Sequence, residues 1–215
     1  MQNGLTLRDI VNVRAQAFNG AGYAFKGIDF TGSYVTEVGP GSLSVRLLAE
    51  HMMDQIFQSG PTSAPINIVG QLGSSNSFLS DNQPTAKWTG SLTGTYAQGP
   101  WGLTSQVRFV SSGVLDYNAP NGTTFATPAV QRYPVGVNSV PSYAIFSLSG
   151  QYTFANLGAL SSLQVYGVVD NLFDKQPPFA AGAGAFGVSN GTAGTNPVFY
   201  DTLGRMFRLG VRMNF

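Results

Sequence analysis

The sequence predicts an all-β protein: an antiparallel transmembrane β-barrel segment of about eight meander strands, part of a larger barrel. Three observations predict it. Apolar and polar residues alternate with period two along eight stretches. The connections between them take turns, short then long. Charged residues make up only 10% of the 215 positions, whereas glycine reaches 27 residues and aromatic residues 12%.

The last stretch is the clearest. Leu203, Phe207, Leu209, Val211, Met213 and Phe215 fall on one face, and Thr202, Gly204, Arg208, Gly210, Arg212 and Asn214 on the other. Arg205 is the one charge on its apolar face, close enough to a loop to snorkel. Working backwards, Leu163, Val165 and Val169 form the next apolar row, then Phe146, Leu148, Tyr152 and Phe154. Trp101, Leu103, Val107 and Phe109 follow, then Trp88, Leu92 and Tyr96. Leu43, Val45, Leu47 and Ala49 make a sixth row, and Ile28, Phe30 and Tyr34 a seventh. The eighth, Leu5, Leu7, Val11 and Val13, is interrupted at Asp9 and Ile10.

Short connections are expected at Gly39-Pro40-Gly41, at Gln98-Gly99-Pro100 and over some six residues around Asn156 to Leu160. Long ones run from Ser59 to Pro84, Gly113 to Val140 and Asp174 to Val198. Three structureless loops of this length would be out of place in a soluble domain. In a membrane barrel they are the external loops. Tyr34, Tyr96, Trp101, Tyr152, Phe154 and Phe215 gather at the short-turn ends, where amphipathic rings suit the headgroup level as an aromatic girdle. The competing reading is the scattered core aromatics of a soluble sandwich.

A net charge of +1 without a basic patch excludes nucleic acid as a natural partner. With no cysteine there is neither a disulfide framework nor a thiolate metal site. No apolar run reaches the length of a transmembrane helix, and the opening residues lack the apolar core of a secretory signal. That absence points to a mature or truncated chain.

Three segments carry a family resemblance. Asn171-Leu172-Phe173-Asp174, continuing as Lys175-Gln176-Pro177-Pro178, resembles the NLFD segment that ends the penultimate strand of TonB-dependent receptors. Tyr200-Asp201 followed by Gly204-Arg205 is similar to that family's YD-x-x-GR opening of the final strand. The terminal Phe215, with apolar residues at every second position before it, resembles the pattern read by the barrel-assembly machinery. Gly27-Ile28-Asp29 and Val140-Pro141-Ser142-Tyr143 are weaker echoes.

The resemblance covers essentially the whole chain. It implies a plugged barrel of about 22 strands, of which residues 1–215 would be the C-terminal portion. The plug domain, the N-terminal strands and the TonB-contacting segment would lie elsewhere. It further implies residence in the outer membrane of a Gram-negative bacterium. The implied activity is TonB-driven uptake of a ferric siderophore, cobalamin or an oligosaccharide. The implied partners are membrane lipid, the assembly machinery through the C-terminal strand, and TonB only through the region outside this chain.

No catalytic apparatus or cofactor is expected. The glycine-rich run from Phe179 to Gly194 has no G-x-x-x-x-G-K-[ST] pattern, and no G-x-S-x-G occurs. His51 falls on the apolar face near a loop end without neighbours that could complete a metal site. Arg8, Arg14, Asp29, Arg46, Glu50, Arg108, Asp170, Arg208 and Arg212 should line the lumen, where mutual pairing along the wall is favoured over substrate contact. Asp116, Tyr117 and Tyr133 in one long loop, with Phe179 and Phe186 in another, are the candidate ligand contacts. The alternative architecture is a self-contained eight-stranded barrel with a structural or adhesive role, closing residues 6–15 against residues 202–215.

Overall fold

The computed structural model describes residues 22–58, 60, 62–73, 85–115, 138–158, 160–180 and 195–215. Seven long strands form one antiparallel meander. They are β1 (Gly22–Val38), β2 (Gly41–Gln58), β4 (Trp88–Gln98), β5 (Trp101–Val110), β8 (Tyr143–Leu157), β9 (Leu160–Asp170) and β10 (Met206–Asn214). They are hydrogen-bonded in the order β1-β2-β4-β5-β8-β9-β10. The short β3 (Ile66–Asn67) adds to the end of β2, and β6 (Gly113–Val114) pairs with β7 (Ser139–Val140) as a separate ribbon. Seven of the eight predicted strands are therefore in place. The eighth, around Leu5 to Val13, lies outside the described residues together with Arg8 and Arg14. Among the described residues β1 and β10 do not pair with each other.

Register carries the alternation from strand to strand. Leu47 sits opposite Leu92, Leu92 opposite Val107, and Val107 opposite Phe146. Tyr152 faces Val165, which faces Val211. Opposed residues share a face, so the seven apolar rows form one apolar surface. Its side chains stay open: Leu92 is 45% exposed, Phe207 69% and Leu209 88%. A soluble sandwich would have to cover this surface with a second layer, and no described residue forms one.

The opposite face is polar. Thr95 Oγ1 meets Thr104 Oγ1 at 3.1 Å, and Gln106 Nε2 donates to Thr93 Oγ1 at 3.2 Å. Arg208 pairs with Asp170 at 2.6 Å. Both are expected lumenal charges, and the contact between adjacent strands is the pairing along the wall expected of them.

Two of the short connections are two-residue hairpins, Gly39-Pro40 and Gly99-Pro100. Gly39 (φ +58°) and Gly99 (φ +54°) occupy the left-handed region, and proline then fixes a negative φ. That sign sequence suits a type II′ turn, whose twist matches the flanking strands. The third connection is tighter than expected. β8 continues to Leu157, which pairs with Leu160, and Gly158 (φ +66°) starts the turn.

β2 carries a bulge at Met53. Lys26 faces Asp54 whereas Gly27 faces Met52, leaving Met53 as the extra residue. An extra residue reverses the parity of everything beyond it. Gln55 and Phe57 therefore turn to the inner face, where they are buried. Gly27 is required at this point, because a Cβ there would meet the His51 carbonyl oxygen at 2.9 Å.

Candidate functional site

The inner face borders an open cavity of about 1020 Å³. Asp29, Glu50, Thr89, Ser91, Arg108 and Asp170 line it from the strands, and residues 197–203 close one side. Register explains the grouping. Asp29 faces Glu50, Glu50 faces Thr89, and Ser91 faces Arg108. The inner face is thus the lumenal wall the alternation predicted, and four of its expected charges reach the cavity.

The long loops depart from expectation. They are expected to be structureless, yet their described ends fold onto the inner face. Leu72, Leu115, Val140, Ala180 and Tyr200 pack with Val110, Tyr143 and Ile145 into one buried apolar cluster. Backbone hydrogen bonds knit the ends together. Leu72 N donates to Val114 O at 2.8 Å, Val114 N to Gly70 O at 2.9 Å, and Leu115 N to Asn138 O at 2.8 Å. Asn196 Nδ2 reaches across 124 residues to Leu72 O at 2.9 Å. The approach is close enough to demand glycine: a Cβ on Gly113 would lie 2.2 Å from Gly70 O. Isolated apolar residues in glycine-rich and serine-rich runs, such as Leu72 and Leu115, were the only trace of this in the sequence.

Tyr200 is 3% exposed and its hydroxyl has no partner among the described residues. Burial pushes its phenol up from 10.0 to about 12. The folded state therefore holds Tyr200 neutral at pH values where an unfolded chain would ionise it. The stability this contributes is whole below pH 10.0 and is lost as pH rises towards about 12. Alkaline titration of phenolate absorbance should show one tyrosine titrating near that upper value, and Tyr200→Phe should remove the step. A variant with the parent's full titration curve would contradict this assignment.

The NLFD and YD-x-x-GR segments come together as one clasp. Asn171 is fully buried at φ +51°, and its side chain brackets Lys175. Nδ2 donates to Lys175 O at 3.0 Å, and Oδ1 accepts from Lys175 N at 2.9 Å. Asp174, at φ +52°, accepts from Arg205 N at 3.0 Å. Gly204 (φ +73°) leaves room for that carboxylate: a Cβ there would lie 3.1 Å from Asp174 Oδ1. Leu172 N bonds Phe146 O at 2.7 Å, Phe173 stacks edge-on against Phe146, and Tyr143 OH donates to Lys175 O at 3.1 Å. Asp201 caps the turn by accepting from Leu203 N at 3.0 Å. These residues join the end of β9 to the start of β10 at the base of a long loop. Their geometry is that of a structural fastener.

Arg205 remains beside the apolar face, with its guanidinium 5.8 Å from the centre of the Phe207 ring. Phe215 ends the chain beyond β10, 90% exposed. Of the candidate ligand contacts, Phe179 is described and partly exposed beside buried Ala180. Asp116, Tyr117, Tyr133 and Phe186 lie outside the described residues.

His51 faces outward opposite Trp88, and the two rings stack with centroids 4.0 Å apart. Among the described residues no group of three or more His, Asp or Glu is placed to hold a metal ion. Phe30 stacks on Trp88 at 6.2 Å and Phe109 lies opposite Gly90, two positions along from Trp88, so these rings and His51 form a second aromatic belt at the loop end. The sequence pattern points only to the belt at the short turns. There Trp101 meets Tyr152 and Tyr152 meets Phe154, each pair 4.5 Å apart. Trp88 and Tyr96 are eight residues apart on β4, roughly 26 Å along the strand. With the tilt of a barrel strand this is about 20 Å in height, close to the apolar band between two girdles.

Comparison with known proteins agrees with this geometry. The family described as TonB dependent receptor-like, beta-barrel matches residues 3–172. The matched span ends at Leu172, so the YD-x-x-GR segment and the terminal strand lie beyond it. No curated protein and no solved structure matches the chain. The apolar outer face, the polar inner wall and a family match over most of the sequence lead to one conclusion: the chain belongs to the TonB-dependent receptor-like β-barrel family, whose members are receptors and transporters rather than enzymes.

Proposed function

We propose that this chain forms wall and loop bases of an outer-membrane receptor for TonB-dependent uptake of a scarce nutrient: a ferric siderophore, cobalamin or an oligosaccharide. The observation that carries this reading is the single register-matched apolar face, bounded by two aromatic belts and backed by a polar cavity. Lipid covers the outside, and the substrate is met first by the long loops. The C-terminal strand presents Phe215 to the assembly machinery. Energy enters through TonB by way of other parts of the receptor.

The loop bases define how to test it. Cutting residues 113–140 as a block would remove Leu115 and Val140 from the buried cluster. Excising residues 116–137 and rejoining Leu115 to Asn138 by a two-residue turn keeps the β6–β7 ribbon, since Gly113 already pairs with Val140. In the complete receptor this deletion is expected to abolish nutrient binding while leaving membrane insertion intact. The three substrate classes should be assayed in parallel on the parent and the deletion. Undiminished binding by the deletion would reject the role given to this loop.

A further inference from the structure

We infer that the bases of the three long loops and the Asn171–Arg205 clasp form one cooperative cover over the inner face of β5 and β8, which opens only as a whole. This holds whatever the receptor carries. Each base depends on the other two. The first loop contributes Gly70 to Leu72, which lies alongside Val114 of the second in a parallel bridge between Gln71 and Val114. The third loop contributes Asn196, whose side-chain amide occupies the Leu72 carbonyl within the buried region. Leu72, Leu115, Val140, Ala180 and Tyr200, one or more from each loop, share a single apolar cluster on Val110, Tyr143 and Ile145.

Lifting one base alone would expose apolar surface on the remaining two and strand their buried backbone groups. Close-packed contacts such as Gly113 against Gly70 O leave no room for sliding. The clasp adds the anchor. Tyr143 belongs to the cluster, and its hydroxyl bonds Lys175 O, the same carbonyl that Asn171 holds. Tyr200 and Asp201 enter the cover one turn before Arg205 is pinned by Asp174. The two family-like segments thereby latch the cover to the ends of β9 and β10. Access to the inner face of β5 and β8 is then governed by one opening event.

Hydrogen exchange on the intact protein in outer-membrane vesicles tests this. In the unmodified protein, amides in residues 68–73, 113–115, 138–140 and 195–200 should share one denaturant dependence, as a single cooperative unit does. Asn196→Leu removes the donor to Leu72 O, and Leu115→Ala thins the cluster. Each variant is expected to speed exchange about tenfold in all four segments together, while the central amides of β4 and β9 keep the parent's rates. Distinct denaturant dependences in the unmodified protein would overturn the inference. So would acceleration confined to the segment that carries the substitution. The first readout requires no variant, so a substitution that prevented folding would still leave the question decided.

Discussion

Asn171→Ala is expected to destabilise the folded protein by about 2–4 kcal/mol, measured by urea unfolding in lipid. Two costs add. Asn171 sits at φ +51°, where asparagine is tolerated but a Cβ without a local hydrogen bond costs roughly 1–2 kcal/mol. Its side chain also holds both the N–H and the C=O of Lys175. Asn171 is fully buried and its partner Lys175 is not, so losing those bonds costs about another 1–2 kcal/mol. Asn171→Gly separates the two contributions, because glycine accepts the left-handed backbone but cannot bracket Lys175. The glycine variant should therefore recover roughly half of the loss. Equal losses in both variants would show that the backbone conformation contributes nothing. A loss below about 0.5 kcal/mol in the alanine variant, the range of an ordinary surface change, would show that the clasp is not a fastener.

The clasp also shows where sequence reading succeeds and where it stops. Asn171, Asp174, Gly204 and Arg205 were identifiable through their resemblance to the NLFD and YD-x-x-GR segments, and the structure gives a physical reason for three of them: the left-handed backbone at Asn171, Asp174 and Gly204 restricts the residue types allowed. Their mutual contact was not, because Asp174 and Arg205 lie 31 positions apart, at opposite ends of a long loop. The barrel wall was legible for a different reason. Period two is a local property, so Leu92 and Thr93 declare their faces without reference to any partner. The Met53 bulge breaks that local rule with one residue, and the reversal of Gln55 and Phe57 becomes visible only once Lys26 is paired with Asp54. The cover over β5 and β8 was the least legible. Its contacts join Leu72, Leu115 and Tyr200 from three loops, and loop composition carries no period from which such packing could be read.

The wall makes the second strong prediction. Leu92 lies four residues from Trp88 and four from Tyr96, midway between the two aromatic belts, and it faces outward between Leu47 and Val107. If that surface meets lipid, Leu92→Arg places a cation near the bilayer midplane, at a cost of about 2–4 kcal/mol. Thr89→Arg puts the same side chain on the neighbouring face of the same strand. There it stands opposite Glu50 beside the polar cavity, where an opposite-charge pair offsets part of its cost. The two variants should thus differ by at least about 2 kcal/mol in unfolding free energy in lipid, and Leu92→Arg should lower the yield of inserted protein. Hydrophobicity alone does not force this asymmetry. It requires that β4 present its two faces to two different solvents. If both arginines cost the same, the apolar face does not meet lipid, and the membrane orientation of the whole sheet falls with it. If only Leu92→Arg is costly, the same register that aligns Leu47, Leu92, Val107 and Phe146 assigns every strand of the meander its lipid side.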